Sequence, residues 1–232
     1  MQTQENEVTL SSQGQPLKAF VAYPLGPGPH PSIVVIQEIL GLNDNIRRIT
    51  RRFAQEGYAA LALDLYSGGF KPFCVFQTIR SVFSSSTDNY STRHLHNALT
   101  YLAQQPYADA ERLGAIGFCM GGNFALALAQ QDKRLKTIAP FYSITPRALK
   151  KDVSSLCPVV GSFPENDYTA KQGRLLAQAL AQAQVPHDIK IYPGAGHSFM
   201  NDSGPSFRHD AAADAWQRTL AFFETHLQSH IG

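Results

Sequence analysis

Two hundred and thirty-two residues, 44% hydrophobic and 16% charged, can bury a sizeable core, most simply as one domain, and exclude disorder. The 17 glycines and 14 prolines recur at no fixed period, and the longest apolar runs, such as Ile33 to Ile36, fall far short of the roughly 20 residues of a membrane span. Twenty Lys and Arg against 18 Asp and Glu leave a charge of +2, too small and dispersed to track phosphates, so neither nucleic acid nor membrane is an expected partner.

The polar, acidic start from Met1 to Glu7 lacks the basic and apolar parts of a secretory signal, so the cytoplasm is the expected compartment. Cys74, Cys119 and Cys157 are an odd set in no metal-ligand spacing, which suits free thiols in a reducing environment. Val8 to Leu10 and Ala19 to Ala22 flank a turn-rich stretch, Ser11 to Gln15, and predict an antiparallel edge hairpin. Strands follow at 32–36, 59–63, 113–117, 137–141, 159–161 and 188–192, most of them continuous apolar runs, as strands buried on both faces should be. Between them lie helical stripes: Ile46, Ile49 and Phe53; Leu95, Leu99 and Leu102; Leu175, Leu176, Ala179 and Leu180; Trp216, Leu220, Phe223 and Leu227. Right-handed crossovers between parallel strands put helices on both faces, giving an α/β, doubly wound, mostly parallel sheet of about eight strands. Ligands of such sheets bind beyond the carboxyl ends of the strands. Segment 67–91 shows no sustained helical period, beyond a short helix at 76–83, and reads as a cap over the site.

The strand at 113–117 runs into Gly117-Phe118-Cys119-Met120-Gly121-Gly122 and then a helical pattern. Gly-x-Cys-x-Gly in that context is a nucleophile elbow with sulfur in place of the usual serine oxygen. The helix N-terminus beneath the thiol favours its thiolate, and the Met120 N–H points where an oxyanion would develop. An elbow nucleophile needs an acid and then a histidine on later post-strand loops; Asp167 and His197 fill those places, with Glu165 competing for the acid role. Among the eight histidines only His197 sits in a glycine-bracketed turn after a late strand. Glu38 ends the strand at 32–36 in the loop that supplies the second oxyanion donor of this arrangement, expected to be the Ile39 N–H, and a carboxylate there would act on the thiol's protonation.

Gln37-Glu38-Ile39 with Gly41, Asp64-Leu65-Tyr66, Gln105-Pro106-Tyr107, the cysteine elbow, Phe141-Tyr142, Asp167 and Gly196-His197-Ser198-Phe199 together resemble the dienelactone hydrolases (carboxymethylenebutenolidases) of the α/β-hydrolase fold over nearly the whole chain. The resemblance implies Cys119 as nucleophile, His197 as base and then acid, Asp167 orienting the imidazole, and Glu38 holding the resting thiol neutral until substrate binds. It also implies Arg80, Asn201 and Tyr142 as substrate-binding residues. Asn201 stands where members that hold a carboxylated lactone have an arginine, and it offers no charged fork. The expected activity is hydrolysis of a small-molecule ester or lactone through a thioester acyl-enzyme, with no cofactor and no metal. The rivals are a general carboxylesterase or thioesterase acting on a small neutral acyl substrate, a non-catalytic binding protein of this fold, and a thiol redox protein using Cys74 or Cys157 as resolving partner. Nothing in the sequence specifies an oligomer.

Overall fold

The computed structural model describes residues 1–227. Its centre is one eight-stranded sheet, built from β1 (Thr3–Ser12), β2 (Gln15–Pro24), β3 (His30–Ile36), β4 (Ala59–Leu63), β5 (Ala108–Phe118), β6 (Leu135–Phe141), β7 (Val159–Pro164) and β8 (His187–Tyr192), in the order β1-β2-β4-β3-β5-β6-β7-β8. The β1–β2 hairpin and the β2–β4 pair are antiparallel and every other neighbour is parallel. This is the α/β-hydrolase fold. Strands β3, β4, β5 and β6 lie mid-sheet, buried on both faces, which is why they read as unbroken apolar runs. β8 closes the sheet, and most of its residues are half-exposed.

Two apolar layers sandwich the sheet. On one face α1 (Asp44–Gln55) and α6 (His209–His226) contribute Ile46, Ile49, Phe53, Trp216 and Phe223. On the other, α3 (Tyr90–Ala103), α4 (Met120–Gln131) and α5 (Thr169–Gln182) contribute Leu95, Leu99, Phe124, Leu128, Leu176 and Leu180. Side-chain caps start two of these helices, Asn43 accepting from the Ile46 N–H and Asn89 forming a reciprocal capping box with Thr92.

The structure corrects three expectations. The hairpin strands each run ten residues, well beyond the expected pairing, because the early part of β1 is exposed and carries no apolar signal. Leu175 is 49% exposed; the buried face of α5 passes instead through Ala170, Gly173, Leu176 and Leu180. Segment 67–91 holds a full helix, α2 (Lys71–Val82), started by Pro72. Its buried residues are Cys74, Thr78 and Ser81, while Phe73, Phe76 and Ile79 face outward, so the apolar stripe that normally betrays a helix is inverted.

Candidate active site

Cys119 lies between the end of β5 and the first residue of α4, at φ +55° and ψ −116°, a region that L residues occupy only when the surroundings enforce it. The enforcement comes from close packing of the turn. A Cβ on Gly117 would meet the Gly121 carbonyl oxygen at 2.0 Å, one on Gly121 the Ile36 oxygen at 2.5 Å, and one on Gly122 the Ser143 Cβ at 2.6 Å. The Cys119 N–H donates to Phe141 O at 3.0 Å, and its carbonyl accepts from Gly122 at 3.1 Å. The cysteine stays partly exposed while α4 behind it is buried from Met120 to Ala129. As first residue of α4, Met120 has an N–H without an acceptor inside the helix. Ile39 lies in the turn after β3, closed by a Gly41 N–H to Glu38 O bond of 3.0 Å and steadied by the Tyr66 hydroxyl donating to Ile39 O at 2.9 Å.

His197 and Asp167 come from the loops after β8 and β7. Asn166 N–H donates to Ala195 O at 3.0 Å, joining the two loops, and His197 Nδ1 lies 2.5 Å from Asp167 Oδ2. Thr169 Oγ1 donates to the same carboxylate oxygen at 2.7 Å. Burial alone would lower the histidine's pKa, but hydrogen bonds and charge from Cys119 and Asp167 outweigh it and push His197 up to about 9. Glu165 is exposed and accepts the Gly194 N–H at 3.2 Å, so the imidazole is held by Asp167.

Glu38 is 4% exposed, and burial raises its carboxyl above the ordinary range against the opposing pull of Tyr142, His197 and Ser198. Tyr142 donates its hydroxyl to Glu38 Oε1 at 2.9 Å, and burial together with the Glu38 charge holds the phenol well above its usual value. Two carboxylates, a thiol and an imidazole thus converge beyond the carboxyl ends of β3, β5, β7 and β8.

Tyr142, expected as a substrate contact, is fully buried with φ +36° and gives its hydroxyl to Glu38. Arg80 is exposed on α2 and lines a concavity of about 510 Å³ with Gln77, Ser81, Asp88 and Tyr90, which includes none of Cys119, His197 or Glu38. Asn201 spends its side-chain oxygen on the Ser203 N–H at 3.1 Å, capping its own turn. One neighbour was not singled out from sequence: Tyr168, 68% exposed, stacks on the His197 ring at 5.9 Å and 15°. Cys74 is buried, and burial pushes the Cys157 thiol up to about 12, away from the thiolate. Among the described residues no group of His, Cys, Asp and Glu is placed to hold a metal ion, and no helix is long and apolar enough to cross a membrane.

The sequence pattern of the dienelactone hydrolase family matches residues 17–227. The chain belongs to that family. A Yersinia pestis protein carrying the provisional name carboxymethylenebutenolidase is 32% identical over 97% of this chain and 90% of its own length. A Synechocystis protein under the same provisional name is 30% identical, covering 95% and 96%. Among solved structures, a provisionally named dienelactone hydrolase from Klebsiella pneumoniae is 29% identical with a TM-score of 0.83, covering 96% of this chain and 99% of the other. The Klebsiella structure therefore shares the fold over nearly the whole of both chains.

Proposed function

We propose that the chain hydrolyses an ester or lactone through a Cys119–His197–Asp167 triad and a thioester acyl-enzyme. The observation that carries this reading is the imidazole held at 2.5 Å by Asp167 and raised to about 9 by Asp167 and Cys119, which keeps His197 protonated at neutral pH beside the nucleophile. The Cys119 thiolate attacks the ester carbonyl carbon, and the carbonyl electron pair moves onto oxygen. Met120 and Ile39 N–H groups receive that oxyanion. As it collapses, the carbon–oxygen bond to the leaving group breaks, and His197 Nε2–H gives its proton to the departing alkoxide or enolate. The neutral imidazole then takes a proton from water, the resulting hydroxide attacks the thioester, and the thiolate leaves with the carboxylic acid formed.

Glu38 acts on the resting state in this reading. Its buried carboxyl, tied to Tyr142 and raised by burial, takes the Cys119 proton when substrate binds and returns it when the product leaves.

The test is hydrolysis of p-nitrophenyl esters, thioesters and dienelactone by wild type and Cys119→Ala, with mass spectrometry of the quenched enzyme. Cys119-dependent turnover, with a loss on the order of 10³-fold or more and an acyl adduct on Cys119, is the expected result. Turnover that survives Cys119→Ala overturns the mechanism.

A further inference from the structure

Asp167 holds the His197 imidazole at 2.5 Å and the buried Glu38 feels the charge of the same ring, so the site sets two carboxyl groups against one imidazole. Arg80 lines another concavity, Asn201 is spent on its own turn, and the nearby Arg48 and Arg208 are paired with Asp202 and Asp210. A substrate bringing a further carboxylate would meet Asp167 and Glu38 with none of these three guanidinium forks placed to receive it.

Exposed apolar side chains stand on the loops that carry Glu38 and Asp167. Ile39 and Leu40, in the turn that follows Glu38, are 55% and 69% exposed. Tyr168, 68% exposed, lies flat against His197, its ionisation influenced by Cys119. Tyr66, which binds the Ile39 carbonyl and whose ionisation also responds to Cys119, leads four residues on to Phe70, 77% exposed at the start of α2. Phe73 and Phe76 continue that exposed aromatic surface along the helix. Large apolar side chains at this exposure, following directly on Glu38 and Asp167 and continuing onto the start of α2, mark a binding surface more than a random solvent face.

Resting on the acyl-enzyme reading above, the geometry points to an uncharged, apolar acyl group as the substrate portion, lying across Leu40, Phe70 and Tyr168 while its ester carbonyl sits at Cys119. An apolar chain gains at each methylene laid on this rim, whereas a terminal carboxylate gains nothing and is repelled.

The experiment compares kcat/KM for p-nitrophenyl acetate, p-nitrophenyl hexanoate and mono-p-nitrophenyl glutarate, whose acyl group ends in a carboxylate. The hexanoate is expected to exceed both others by about 10-fold or more, from a few methylenes each worth up to about 4-fold. Leu40→Ser and Phe70→Ser, both at exposed positions, shrink the hexanoate-to-acetate ratio several-fold, and Leu40→Arg raises the relative use of the glutarate. Phe83→Ser, at the far end of α2, leaves the ratio unchanged. A glutarate preferred by wild type, or a ratio unmoved in both serine variants, overturns the inference while Cys119-dependent turnover still upholds the mechanism. Protection of Cys119 from iodoacetamide reads the same preference without turnover: hexanoic acid protects and glutaric acid does not, and equal protection overturns the inference even if no ester is hydrolysed.

Discussion

His197 Nδ1 meets Asp167 Oδ2 at 2.5 Å, so the ring's other nitrogen, Nε2, is left for chemistry at Cys119. Asp167→Asn removes both a charge and an acceptor that raise the imidazole. The alkaline limb of kcat/KM, expected near the value of about 9 set by His197, then moves down toward the ordinary histidine range, and kcat falls on the order of 10³-fold. Pre-steady-state and steady-state pH profiles check both, and an alkaline limb that stays in place would assign it to another group. Glu38 behaves with the opposite sign. Tyr142→Phe removes the bond that stabilises its carboxylate form, so the limb that follows Glu38 moves to higher pH; an unmoved acid limb separates Glu38 from the reaction. The positions of Cys119, Asp167 and His197 were legible because each follows a strand in the chain order an elbow demands. Tyr142 and Tyr168 were not legible in the same way, since one is turned wholly inward and the other flat onto the imidazole by backbone angles and rotamers that no sequence pattern encodes. Arg80 illustrates the same limit: the sequence places it in segment 67–91, but α2 turns it into another concavity.

At the level of elements, the elbow depends on backbone passing backbone. Gly117→Ala would drive its Cβ into the Gly121 carbonyl and force β5 and α4 apart, at a cost of about 3 kcal/mol and with loss of the Cys119 geometry. Gly69→Ala, where nothing lies within 4 Å of the added Cβ, should stay within about 0.5 kcal/mol of wild type. Chemical unfolding of the two variants beside wild type reads the contrast, and equal midpoints would show that the elbow relaxes freely. Glycine spacing after an apolar strand made this turn legible, as buried stripes did for α1, α3 and α6. The signal failed for α2 because this helix packs against α3 and α4 through small and polar side chains and leaves its phenylalanines outside. Amphipathicity reports which face is covered, and here the uncovered face is the apolar one.

The whole molecule closes its hairpin edge through one buried histidine, and this sets its response to acid. His94 on α3 is 1% exposed, and its Nδ1 lies 2.6 Å from Ser12 Oγ at the end of β1. Asn97 donates to the same oxygen at 2.9 Å, which leaves the serine proton for Nδ1 and the imidazole hydrogen on Nε2, an atom with no partner among the described residues. Protonating Nδ1 would turn that nitrogen from acceptor to donor toward Ser12 and place a charge where burial lowers the histidine's pKa to about 4. Because the folded value lies below the unfolded value of about 6.5, the unfolded chain binds more protons between them. The neutral ring's contribution is therefore complete above about 6.5 and is lost as pH falls toward 4, up to about 3 kcal/mol over that window. His94→Gln keeps an acceptor for Ser12 and cannot charge. Urea unfolding of both proteins at pH 7 and pH 4.5 should show wild type losing about 2–3 kcal/mol more than the variant on acidification, the carboxylates being common to both. Parallel losses would mean that the β1–α3 contact opens before the rest of the sheet and lets His94 titrate in water.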